Sequence, residues 1–587
     1  MATSTKVLAL IEAAKKAHAA TLAANAEKLA AKQASQATTT TLTQTTAPVV
    51  NILSTLAAQN AQVGQAQYGI ELNERQAEAL ERALRGQSFV LIGAAGTGKT
   101  TATQTIIRLL PQANHTRTID FNTKHLNKDA PAIVVTGYTN KSVNHIKKKV
   151  NEKMQSHCLT LHKLIEFSPE YFEVVDENGN TYTTMRFTPS RHQDNPLPHL
   201  STAIFEESSM IGIDLYGDYI AALPQPEATQ SIFLGDIFQL PPVFGPSILG
   251  FKLSELPVVE LTTVYRQALL SPIISLATAI RTNTFTKWLV EQTGKDKLTE
   301  VVTVDSAEHG KVTIHPWKKR IATAPATKTV TNLVCSMIEA GKYDPEQDQI
   351  LCPFNKAFGT IELNKQIADF LTKRRGETTY EIIARYNRTY WAVGDRVLVD
   401  RHDGIITGIT PTIGYQGKPP LTPSKTLNRY GYDSVLDLGR DKQVSAQAVL
   451  NELDMIAESD DDSSKKASHT IRVYIPDLEK EVELSTSAEI NNLLLSYALT
   501  VHKSQGSEWR RVFIFLHHSH QTMCSRELLY TAITRAAKEL YIICEGDIAP
   551  YKNQLLTGSN RAIIPGVTLA EKIEYFKSKR ASMQSIE

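Results

Sequence analysis

The sequence predicts an α/β fold of two parallel-sheet domains, with a β-hairpin set into the first and a small β module set into the second. Three observations predict it. The apolar run Phe89-Val90-Leu91-Ile92 leads into GAAGTGKT, residues 93–100, and then into the helix-like TATQTIIRLL. Further short apolar runs, AIVVTGYTN, TAIFEESSM and SIFLGD, alternate with helix-like stretches up to about Val264, as strands buried on both faces do. A second α/β pattern starts near Tyr265 and returns in YALTVHKSQG and RVFIFL.

Size and composition bound the answer. A chain of 587 residues exceeds one core and calls for about three or four domains. The 63 basic and 61 acidic side chains leave a net charge of +2, so a nucleic-acid partner would need a local groove rather than a bulk field. Cys158, Cys335, Cys352, Cys524 and Cys544 are scattered without a CxxC pair, which fits a reducing compartment and argues against zinc or a disulfide framework. No run reaches the apolar length of a membrane span, and the N-terminus has no compact apolar core of signal-peptide type. The expected protein is cytoplasmic, off the membrane and monomeric.

Along the chain, residues 1–32 are rich in Ala, Lys and Leu and read as a helix-prone arm. Residues 33–70 carry no charged side chain and read as a flexible linker, so 1–70 form one unit. Lys in place of Arg, with Glu12 and Glu27, disfavours a mitochondrial presequence. The arm could equally dock a partner. The first α/β domain spans 71–264. Within it, EVVDENGNTYTTMRF, residues 173–187, has alternating runs around Asn178-Gly179, the preferred two-residue hairpin turn; the hairpin region is 168–190. Residues 265–390 begin the second domain. Residues 391–490, with WAVGDRVLVD and TIRVYIPDLEKEVEL, read as short strands of a separate β module. The second domain resumes over 491–550, and 551–587 is a tail.

The chemistry starts at residues 93–100. Gly93, Gly96 and Gly98 carry no Cβ, so the backbone N–H groups of Ala94, Ala95, Thr97 and their neighbours can wrap a phosphate chain. The following helix adds its positive end. Lys99 can reach β and γ phosphates, the Thr100 hydroxyl can ligate Mg²⁺, and Thr101 lies beside it. The expected ligand of the loop is a nucleoside triphosphate with Mg²⁺. Downstream, AIFEESSMI ends a strand in Glu206 and Glu207. Such a pair holds the metal (Glu206) and deprotonates the attacking water (Glu207). The first acid is Glu where Asp is usual. In LGDIFQLPPVFG, Gln239 can report a γ-phosphate because its amide both donates and accepts.

The ordered set resembles the superfamily 1 helicases, specifically the 5′-to-3′ RecD/Dda-like branch, with phage Dda-type helicases most similar. The resemblance covers roughly residues 70–546. LNERQAEAL resembles the Q motif, which implies that Gln76 reads adenine. GYTNKSVNHI and TLHKLI resemble motifs Ia and Ib; FEESSM and GDIFQLPPV resemble motifs II and III. VYRQ resembles motif IV and implies Arg266 near the γ-phosphate. LTVHKSQGSEW resembles motif V, bringing Gly506 and Glu508 to the nucleotide. LYTAITRA resembles motif VI, with Arg535 as arginine finger. The resemblance implies two RecA-like domains closing over ATP, a strand-separating pin at the hairpin, and an SH3-like DNA-guiding module at 391–490.

A single-stranded track needs phosphate donors without sequence reading. Thr139, Asn140, Lys141, Thr160 and His162 follow strands of the first domain; Thr500, His502 and Lys503 take the matching place in the second. His162 and His502 can stack or donate, or simply pack. Lys147, Lys148 and Lys149 widen a basic face or form a solvated one. Tyr182 and Phe187 are stackers in the pin or hairpin core. The expected partners are single-stranded and forked duplex DNA, with a replication or single-strand-binding protein as a possible ligand of the arm. The expected activity is unwinding in replication, recombination or repair. The alternatives are an RNA or RNA–DNA helicase and an ATP-switched clamp that never unwinds.

Overall fold

In the computed structural model, residues 72–147, 150, 152–175, 181–242, 245–263, 270–317, 325–356, 359–384, 387–399, 402–415, 466–545, 556 and 562–584 are described. The arm and linker, Arg266, Lys148, Lys149, the Asn178-Gly179 turn and residues 416–465 lie outside them.

The first domain begins with helix α1 (Glu74–Leu84), started by a capping box in which Asn73 and Gln76 exchange side-chain and backbone bonds. Strand β1 (Phe89–Gly93) and helix α2 (Lys99–Leu109) follow. Next come β2 (Ile133–Gly137), helix α3 (Asn140–Lys147) and β3 (Cys158–Thr160). A hairpin of β4 (Phe167–Val175) and β5 (Thr181–Pro189) projects from this point. The chain returns through β6 (Thr202–Glu206), β7 (Gln230–Gly235) and β8 (Val258–Leu261). The sheet is parallel throughout, in the order β3-β2-β6-β7-β1-β8. Strands β1 and β2 are buried at every position, which is why they read as unbroken apolar runs. Phe205 and Phe233 stack at 4.8 Å in the core.

The hairpin is longer than its alternating pattern suggested, because Phe167 to Pro169 pair with Phe187 to Pro189 at its root. The root is fixed by Arg191–Glu166 at 3.0 Å and by Ser168–Ser190 at 2.7 Å. Phe187 is exposed.

The second domain opens with helix α4 (Pro272–Arg281), then β9 (Val302–Ser306), β10 (Gly310–Trp317) and β11 (Gln349–Cys352), with helix α5 (Thr360–Arg375) behind. The β module then intervenes. It comprises the hairpin β12 (Thr379–Ala384) and β13 (Asn387–Ala392), then β14 (Arg396–Val399), β15 (His402–Pro411), β16 (Lys466–Ile475), β17 (Lys480–Thr486) and β18 (Leu494–Leu495). Its five-stranded sheet is antiparallel, in the order β17-β16-β15-β14-β18. Ile382 and Trp391 of the hairpin share one core with Val397, Ile406, Val473 and Leu484. The module's strands therefore start at Thr379, before residue 391, since the hairpin packs with the module rather than with α5.

Strands β19 (Ala498–Thr500) and β20 (Trp509–Phe515), helix α6 (Arg526–Ile533) and β21 (Ala536–Glu545) complete the second domain. Its sheet runs β19-β11-β20-β21-β10-β9, parallel except for β9. A last helix, α7 (Leu569–Gln584), forms where the sequence read only a tail. Among the described residues, no helix is long and apolar enough to cross a membrane.

One buried cation joins the β module to the second sheet. Arg396 donates to Asp348 O at 2.6 Å, Pro345 O at 3.3 Å and Gln349 Oε1 at 3.2 Å. Arg396→Ala removes these donors from a buried site, at a cost of about 3 kcal/mol. Urea denaturation should show that loss as a lower midpoint, with the module's Trp391 fluorescence changing first.

Candidate nucleotide and nucleic-acid site

At the end of β1 the chain turns through residues 94–98 into α2. Gly96 and Gly98 have φ of 79° and 80°, a region that costs any side-chain-bearing residue energy. The Thr97 hydroxyl braces the turn by donating to Ala94 O at 2.8 Å. No side chain caps α2, so its first N–H groups are left to an anion. The Lys99 ammonium donates to Gly93 O and reaches Ala94 O at 3.4 Å. Gln76 supports the loop from behind: its Nε2 donates to Gly98 O at 3.1 Å and its Oε1 accepts from Asn73 N at 3.0 Å.

Beside this loop, β6 ends in Glu206. Glu207 has φ 47° and ψ 45°, a left-handed backbone that a glutamate adopts only under constraint. Its Oε2 is buried and without a hydrogen-bond partner, a state that costs free energy until a donor arrives. From β7 the chain reaches Gln239, on the same wall.

Residues 94–101, Glu206, Glu207 and Gln239 face Gly506, Glu508 and Arg535 of the second domain across one cleft of about 1390 Å³. The glycine cradle, the ammonium held only on loop carbonyls and the orphaned carboxylate oxygen fit a nucleoside polyphosphate. Thr100 and Glu206 would supply the hard oxygens that Mg²⁺ prefers. Arg535 is nearly buried; its guanidinium donates to Thr531 O at 3.1 Å, Ser507 O at 3.1 Å and Thr534 Oγ1 at 3.2 Å.

The two domains meet through hydrogen bonds that the motifs did not reveal. Tyr530 of α6 donates its hydroxyl to Asp236 Oδ2 at 2.7 Å and accepts from Ala95 N at 3.2 Å. Leu240 N donates to Thr531 Oγ1 at 2.9 Å, and Leu240 O accepts from Gln505 Nε2 at 2.8 Å. Burial, with Asp236 beside it, holds the Tyr530 phenol well above its usual range, so it stays a neutral donor.

The nucleic-acid candidates fall at equivalent places. Thr160 ends β3 and Thr500 ends β19, the edge strands of their sheets. Each Oγ1 accepts from the backbone three residues on, from Lys163 N at 3.4 Å and Lys503 N at 3.3 Å. Thr139 follows β2 and bonds Ser142 Oγ at 3.0 Å; Asn140 and Lys141 begin α3. Lys503 is exposed. Burial lowers the His502 pKa, so that ring is neutral near pH 7. His162 packs edge-on against Tyr138 at 5.5 Å and Phe167 at 5.1 Å, which ties it to the hairpin root. Phe354, 41% exposed just past β11, is a stacking candidate the sequence reading passed over, because ILCPF reads as strand interior.

Two family models match the chain: an AAA domain over residues 76–245 and a UvrD-like helicase C-terminal domain over residues 495–543. The ATP-dependent RecD2 DNA helicase of Deinococcus radiodurans is 25% identical over 473 residues, covering 80% of this chain and 48% of that protein. The RecBCD enzyme subunit RecD of Mycolicibacterium smegmatis is 23% identical over 486 residues, covering 80% and 70%. An uncharacterized protein of Methanocaldococcus jannaschii, MJ1519, is 25% identical over 513 residues, covering 81% and 38%. The chain thus spans less than half the length of two of these relatives. Among solved structures, Bacteroides Pif1 bound to ssDNA aligns with a TM-score of 0.42 at 15% identity, over 87% of this chain and 98% of that one. The family models fall on the two halves of the cleft, and the RecD relatives run through both: the similarity of this chain is to superfamily 1 helicases, on the branch that includes RecD.

Proposed function

We propose that this protein is an ATP-dependent DNA helicase that moves 5′ to 3′ on single-stranded DNA and parts the duplex ahead of it. One observation carries the reading: the glycine loop, the Glu206–Glu207 pair and Arg535 line a single cleft between two parallel-sheet domains. The similarity to an ATP-dependent RecD2 DNA helicase supports it, and the polarity follows the branch.

Bound ATP brings the phosphoanhydride to be cleaved, and Mg²⁺ neutralises charge on it. Lys99 leaves the carbonyls of Gly93 and Ala94 for the phosphates. Glu207, already constrained and short of a donor, orients a water and takes its proton. Gln239 donates and accepts at the γ-phosphate position, Arg535 approaches from the second domain, and Arg266 joins it. Because loop and finger belong to different domains, turnover follows closure. Thr139, Thr160, Thr500 and Lys503 hold the strand by its phosphates. The β4–β5 hairpin acts as the pin, and the β module, SH3-like in role, guides the DNA.

The decisive assay is DNA-stimulated ATPase followed by unwinding of 5′- and 3′-tailed DNA and RNA duplexes. Unwinding only of 3′-tailed substrates would overturn the polarity, and preference for RNA tails would overturn the substrate. Lys99→Ala should abolish nucleotide use. Glu207→Gln should still bind ATP and DNA while turnover falls about 10²- to 10⁴-fold; wild-type turnover in that variant would remove Glu207 as the base. Arg535→Ala should cut kcat by roughly 10³ to 10⁵ with ATP affinity changed far less, and equal loss in both would make the residue a ground-state contact. Replacing residues 171–185 by a short Gly/Ser linker leaves the Glu166–Arg191 root in place. Unwinding of a fork should then be lost while ATPase on single strands persists. Joint loss of both activities with a lowered Tm would instead mark the hairpin as a packing element.

A further inference from the structure

The stretch before α7 lies beyond both family models and reads as a tail, yet it is tied to helix α6 of the second domain. Glu527, in the first turn of α6, accepts Ile563 N at 3.0 Å and Ile564 N at 3.3 Å. Lys572 of α7 donates to Ile564 O at 2.9 Å and lies 3.5 Å from Glu527 Oε1. The two side chains are 2% and 3% exposed. Lysine and glutamate are almost never this buried without a partner, and burial lowers the lysine's pKa against the pull of Glu527.

The pair stands next to the nucleotide wall. Lys572 Nζ is 5.2 Å from the centroid of the Phe238 ring, and the Arg281 guanidinium is 4.5 Å from the same ring. Phe238 precedes Gln239. On one side of Gln239 the second domain holds Asp236 through Tyr530; on the other it holds both backbone groups of Leu240. Phe238 is the remaining grip, and two cations on an aromatic ring form it.

We propose that residues 562–572 are a working part of the ATP cleft: the Lys572–Glu527 pair clamps Phe238 against the second domain and so fixes where Gln239 stands. Lys572 is a positioning residue, touching neither nucleotide nor water. The catalytic consequence rests on the function proposed above; the structural clamp does not.

The test compares full-length wild type with Lys572→Met, which keeps the stem without the charge, and Lys572→Arg, which keeps a cation. Lys572→Met should lower DNA-stimulated kcat about tenfold with the KM for ATP within about twofold, and Lys572→Arg should recover most of the loss. Hydrogen exchange should quicken across residues 236–242 in Lys572→Met and stay unchanged across β1. Unchanged exchange across 236–242 overturns the clamp, whatever the activity. Equal loss of protection in β1 also overturns it, since Lys572 would then serve stability alone. If Lys572→Met does not fold, Phe238→Leu, which keeps apolar bulk without the π face, must show the same kcat loss and the same local exchange; wild-type behaviour there overturns the proposal. A wild-type protein without DNA-stimulated ATPase would refute the function, and the exchange comparison alone would then decide the clamp.

Discussion

The Tyr530 hydroxyl, from the helix before Arg535, donates to the Asp236 carboxylate of the first domain and accepts the Ala95 N–H of the phosphate loop. Three groups from three parts of the chain are thereby satisfied, two of them away from water, since Asp236 is fully buried and Tyr530 nearly so. A buried carboxylate without its donor is costly. The second domain therefore cannot slide along the first without breaking this bond or carrying Asp236 and the loop with it. The geometry of the cleft depends on that constraint. Thr531 and Gln505 extend it to Leu240, so the strip 236–240 takes its position from the opposite domain.

The parts legible in the sequence are those whose physics is local. Phe89 to Gly93 had to be a buried strand because every position is apolar, and the glycines after it had to turn because two of them take positive φ. Thr160 and Thr500 could be paired because each follows a short apolar run, and they do end matching edge strands. Parts that depend on partners distant in sequence were not legible. Tyr530 reads as one aromatic in an apolar helix; its two bonds reach residues 435 and 294 positions away. Lys572 reads as one cation in a charged helix, and nothing nearby announces that it is buried. Gln76 has the residue type of an adenine reader, and its contact with Gly98 O, 22 positions on in the phosphate loop, is not announced by its neighbours. The hairpin region 168–190 takes in nearly all of the paired root, although Ser168, Pro169 and Thr188 do not alternate; Glu166–Arg191 closes its base.

Among the described non-glycine residues with a left-handed backbone, Glu207 is the one that lines the candidate nucleotide cleft. Glu207 carries a left-handed backbone, and the residue that follows anchors it: Ser208 Oγ donates to Leu234 O at 2.9 Å on the neighbouring strand. The backbone that carries the carboxylate is thus anchored to the sheet, and its Oε2 keeps its acceptor capacity for a ligand. A base fixed by backbone constraint needs little reorganisation at the moment of reaction.

The candidate nucleotide and strand sites also come within a side chain of each other. Gly506 has φ 74°, and a Cβ placed there would lie 2.9 Å from Thr139 Oγ1. Thr139 opens the candidate phosphate track of the first domain, and Gly506 stands at the nucleotide wall of the second, immediately before Ser507, whose carbonyl receives Arg535. Only a glycine permits both the backbone twist and the approach. A displacement of Thr139 by a strand in the track would press on the Gly506 turn, and that turn carries the Arg535 guanidinium through a single hydrogen bond. The Gly506–Ser507 turn therefore stands between Thr139 of the candidate track and the guanidinium of Arg535, the candidate finger, close to the first and hydrogen-bonded to the second.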